Sequence, residues 1–166
     1  MSYSGLSQPA SIAWRQVLLG GLLVAIGDIV FATTLWFSWT QEGLTRVFQT
    51  IAVGVLGKGS YEGGLTSAWL GAALHVFMAT MFVVTYTLVA RRAPNLLRRP
   101  WLYGPLYGVV LYVVMNFVVM PLSRVGRSPS FAHLDWITAS VVAHMVFGVI
   151  CVLFARRALQ PSYARK

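Results

Sequence analysis

Four stretches of the chain are apolar for long enough to cross a bilayer, and each carries one strongly polar side chain near its middle. The clearest is LTSAWLGAALHVFMATMFVVTYTLVA, residues 65–90, which has no formal charge over 26 residues. That length spans a hydrocarbon core of about 30 Å. His75 lies inside it with Gly71 and Ala79 one helical turn to either side, and small residues there let a neighbouring helix reach the polar group. The pattern predicts an all-α, single-domain membrane protein with spans over residues 16–37, 65–90, 101–122 and 136–155.

The other spans repeat the arrangement. In the first, Gly21, Ala25, Asp28 and Ala32 form a small-residue stripe around one carboxyl, and Trp36 and Trp39 suit the outer interface. In the third, Gly104, Gly108, Tyr112, Asn116 and Met120 recur at every fourth position until Pro121. In the fourth, Ser140, His144, Gly148 and Cys151 share a stripe. Gly71-x3-His75-x3-Ala79 parallels Ser140-x3-His144-x3-Gly148, and the Gly20/Asp28 spacing matches Gly108/Asn116. Two like-oriented hairpins related by an axis along the membrane normal would produce this.

Residues 41–55 follow a different period. Leu44, Val47, Phe48, Ile51 and Val55 are spaced as one helical face opposite Glu42, Thr45, Arg46 and Gln49. Such a segment is expected to lie in the outer interface rather than to span. It leads into GVLGKGSYEGG, which is not a phosphate loop, because Gly59 separates Lys58 from Ser60 where a phosphate loop needs them adjacent. The loop over residues 91–100 is short, so the second and third spans are expected to be antiparallel neighbours.

Composition and charge narrow the class. The chain is 57% hydrophobic and 10% charged, against roughly 25% charged for soluble domains. A net charge of +9 in a soluble protein would point to nucleic acid, but here the cations are sorted by side. Arg15, Arg91, Arg92, Arg98, Arg99, Arg156, Arg157, Arg165 and Lys166 fall on one side, and Arg46, Lys58, Arg124 and Arg127 on the other with Glu42, Glu62 and Asp135. This positive-inside pattern places both termini in the cytoplasm and makes the bilayer the partner, not nucleic acid. The first span carries Asp28 and no small-residue cleavage site follows it, so it is expected to remain as a membrane helix. Cys151 is the only cysteine, and no intrachain disulfide can form.

From His75 to His144 the order of features is similar to the bacterial YagU-like family of small inner-membrane proteins. The similar stretches are HVFMATMFVVTYTLVA, Pro94, the Gly104/Gly108 helix, Met115 to Pro121-Leu122, Gly126, Pro129 and Ala143-His144. The resemblance implies a bacterial inner-membrane location and transfers no reaction or ligand residue.

The rise of 1.5 Å per residue puts Asp28 near the midplane and His75, Asn116 and His144 about 3–6 Å towards the outer face. An isolated charge at that depth costs at least about 2.5–3.5 kcal/mol, so the four are expected to meet in one cluster. Asp28 and a histidine can then share a proton in two net-neutral forms. The leading expectation is a non-enzymatic structural or accessory membrane component, with a membrane partner or a second copy, in which the cluster fixes helix register. The same groups in a wet cavity would carry protons or a small solute, gated by the amphipathic segment and the His133 loop. A third reading has His75 and His144 as axial ligands of one b-type haem. A zinc or copper site would have to draw on Asp28, His75, His144 and Cys151 together. No catalytic residue is assigned, because the spans hold neither paired carboxylates nor a Ser/His/Asp spacing. Met78, Met81, Met115 and Met120 are read as packing residues.

Overall fold

The computed structural model describes residues 11–35, 43–126 and 134–163. All regular structure there is helical, and four helices are long and apolar enough to cross a membrane. We label them with the shorter helix between the first two: α1 (Trp14–Leu35), α2 (Gly43–Leu56), α3 (Gly64–Arg92), α4 (Pro100–Leu122) and α5 (Leu134–Tyr163). Short 3-10 turns join α2 to α3 (Gly57–Glu62) and α3 to α4 (Pro94–Leu97). The expected positions of Trp36, Trp39, Glu42 and the His133 loop lie outside the described residues.

α5 is the hub, packing against α1, α3 and α4. Its tightest partner is α4, and glycine is the reason. A Cβ on Gly108 would land on the His144 carbonyl, one on Gly148 would meet the Gly104 carbonyl, and one on Gly104 would meet the Val149 backbone. Without side chains at these three positions the two backbones touch, which maximises dispersion contact where lipid removes the hydrophobic drive for association. Gly20 and Gly21 do the same for α1, against Phe154 of α5 and Thr80 of α3. The core fills the space between with Val17, Val24, Ala25, Ala79, Val83, Leu111, Phe147 and Cys151.

The short connection from α3 to α4 does not make those helices a close pair, contrary to the expectation from its length. α4 packs chiefly on α5, and α3 meets it through tyrosines: Tyr107 Oη donates to the Phe82 carbonyl at 2.8 Å, and its ring packs edge-on against Tyr86. Tyr86 in turn donates to the Leu96 carbonyl and pins the connection. The glycine contact with α5 outcompetes the proximity that the short loop imposes.

α2 lies along the first turns of α3. Phe48 meets Gly71, whose Cβ would strike the Phe48 carbonyl, while Gln49 meets Ser67 and Gly64, so the contacts run in opposite order along the two helices. Of the five apolar stripe positions, Val47 is buried, Phe48 and Ile51 are half-buried, and Leu44 and Val55 are exposed. The buried face is Val47, Gln49, Ala52 and Val53.

Candidate functional site

Three of the four polar residues singled out in the spans line one small cavity. Asp28 from α1, His75 from α3 and His144 from α5 share it with Met78, Phe82, Leu111, Met115 and Phe147. Its volume is about 60 Å³, and one water needs roughly 10–15 Å³ measured in this way. A few waters therefore fit, and the polar groups to hold them are on the wall.

The histidines are fixed differently. His75 Nε2 donates to the Ala25 carbonyl of α1 at 2.9 Å, a bond that crosses between helices. Since a carbonyl only accepts, Nε2 carries the proton. The same nitrogen stands 3.8 Å from Asp28 Oδ2, beyond hydrogen-bond range. Asp28 keeps 35% of its side chain exposed, against 12% for His75. His144 Nδ1 donates to the Ser140 carbonyl in its own helix at 2.8 Å, which leaves the lone pair on Nε2. The imidazole is further held edge-on by Tyr112, with ring centroids 5.5 Å apart, and flanked by Phe147.

Asn116 does not line the cavity. It sits in a π-helical turn, Met115–Val119, and its Nδ2 donates to the Tyr112 carbonyl at 3.0 Å. Met115 takes the place on the wall instead. The reason is helical geometry: a row of every fourth residue advances about 40° per step, so Asn116 is about 120° around α4 from Gly104. Cys151 is also absent from the cavity wall and is fully buried in the core.

The donor set can be compared with the groups considered from sequence. Among the described residues no three His, Cys, Asp or Glu side chains come together as a metal site. For a haem, His144 Nε2 is available but His75 Nε2 is engaged by Ala25. The 60 Å³ cavity is also far smaller than the roughly 300–1,000 Å³ of small-molecule pockets. The arrangement suits water and protons better than a macrocycle.

A second polar centre carries no sequence signal beyond a scatter of small polar residues. Gln49, Ser60 and Ser67 are buried and mutually satisfied: Ser60 Oγ donates to the Gln49 carbonyl, Ser67 Oγ to the Ser60 carbonyl, and Gln49 Nε2 to the Gly64 carbonyl. This knot clamps α2 to the start of α3. Arg46 lies over the Tyr61 ring at 3.6 Å just outside it. No protein-family model, curated protein or solved structure matches this chain.

Proposed function

We propose that this chain is a non-enzymatic membrane protein that passes protons, or a hydrated solute no larger than a few waters, through the Asp28–His75–His144 cavity. The observation that carries this reading is the stand-off of Asp28. The carboxyl faces a cavity it shares with two imidazoles and lies 3.8 Å from the nearer one. A group whose only task was to fix helix register would be expected in direct contact with its partner. Here the helix-to-helix tie is made by His75 and a backbone carbonyl, and Asp28 is left facing the cavity. Water between Asp28, His75 and His144 would form a relay in which each site can take and release a proton.

The cation distribution and the resemblance of residues 75–144 to the YagU-like family support a bacterial inner-membrane location with both termini cytoplasmic. The test is proton flux into vesicles reconstituted with purified protein, driven by an imposed potential and read by an internal pH dye. Wild type should conduct and Asp28→Asn should lose about 10²-fold or more of the flux, the scale of a lost positioned acid–base group. Equal flux in both, with both folded, would leave the structural or accessory role as the reading.

A further inference from the structure

The geometry points to Asn116 as a second polar wall residue of the cavity, delivered by movement of the π turn in α4. This rests on the passage reading for its consequence, although the movement itself can be tested separately.

Within the turn the Met120 N–H donates five residues back to the Met115 carbonyl, so Met115–Val119 holds one more residue than an α turn. Everything after it is offset by one position from the helix before it. If the wide turn migrates one turn towards the N-terminus, the residues it passes move into the later register while both helix ends stay in place. Asn116 then occupies the position Met115 holds now, and Met115 occupies that of Val114. An amide replaces a thioether on the cavity wall.

Two features make this exchange cheap. Val114 is exposed on the bundle surface, so Met115 would move from an apolar wall to a lipid-facing position that suits it equally. Asn116 now spends its amide on the Tyr112 carbonyl of its own helix, and it would exchange that bond for cavity water. The turn is anchored just beyond its C-terminal end, where the Arg124 N–H donates to the Gly54 carbonyl of α2. That anchor holds the later register fixed while the turn moves. In the present register the cavity is closed on the α4 side by Leu111 and Met115, and in the other it gains a donor and an acceptor.

The test uses single-cysteine variants in a Cys151→Ala background, since Cys151 is the only native cysteine. Met115→Cys, Asn116→Cys and the lipid-facing control Val118→Cys are labelled in native membranes with a hydrophilic thiol reagent, which reacts only where water reaches. A second register populated at about 1–10% should label Asn116→Cys well above Val118→Cys, and an imposed proton gradient should change the Met115→Cys and Asn116→Cys rates in opposite directions. Asn116→Leu should lower proton flux with Met115→Cys labelling still intact in the double variant, and Asn116→Gln should restore it. Labelling of Asn116→Cys no faster than the control under both conditions would overturn the switch, and unchanged flux in Asn116→Leu where Asp28→Asn does lower it would overturn the part of Asn116 in passage. If Asp28→Asn leaves flux unaltered, the passage reading fails, while the labelling still decides whether the turn moves.

Discussion

Asp28 and His75 face each other across 3.8 Å in the middle of the bundle, and the proton of His75 Nε2 is given not to that carboxylate but to the carbonyl of Ala25, one turn earlier on the same helix. The two residues therefore divide the work. His75 joins α3 to α1, and Asp28 is left to the cavity.

That division predicts opposite phenotypes. His75→Phe should weaken the association of α1 and α3 by about 0.6–2 kcal/mol, the range for interhelical hydrogen bonds. Asp28→Asn should leave stability nearly unchanged. Unfolding in a mixed detergent titration checks both, and the reverse order of effects would make Asp28 the structural partner.

The α4–α5 contact depends on absent side chains. Gly108→Leu has no room, because even its Cβ would land on the His144 backbone. It should destabilise the bundle by about 1–3 kcal/mol, as overpacking does, and displace the imidazole from the cavity. Val110→Leu on the exposed face of the same helix should be neutral. Thermal unfolding of the two variants in the same detergent provides the comparison.

Docking of α2 rests on the Gln49–Ser60–Ser67 knot. Ser67→Ala removes the donor to the Ser60 carbonyl and a partner of Gln49. Leaving such buried groups unsatisfied costs about 1–3 kcal/mol, so α2 should loosen from α3. Faster proteolysis within residues 57–63 with the spans intact is the expected readout. An unchanged cleavage rate would mean that the apolar contacts alone hold α2.

The sorted cations make a prediction about topology. A reporter inserted at Asn95 should read cytoplasmic and one at Lys58 should read outside. The same side for both would break the four-span arrangement.

Much of this architecture is written plainly in the chain. Eighteen or more uncharged residues have few alternatives to a spanning helix, and the small neighbours of His75 and His144 mark faces that other helices approach. Asn116 misled because equal spacing in sequence is not a straight line on a helix, and because a π turn leaves no compositional trace before Pro121. α2 makes a contact that its pattern does not announce. Its apolar stripe is real, yet Gln49 on the polar side is buried because the carbonyl of Gly64 and the hydroxyl of Ser67 receive it. The pairing of α4 with α5 rather than α3 depended on Gly104, Gly108 and Gly148 fitting one another, a complementarity visible only in three dimensions.

The most direct measurement is the infrared carboxyl signal of Asp28, isolated as the difference between wild type and Asp28→Asn in lipid. The chain has only four acidic side chains, so the subtraction is clean. A water-filled proton site predicts that this signal shifts on transfer to heavy water and changes protonation state with bulk pH while the helices stay folded. A signal that neither exchanges nor titrates would mean a sealed, dry site, and would contradict proton passage through Asp28, His75 and His144.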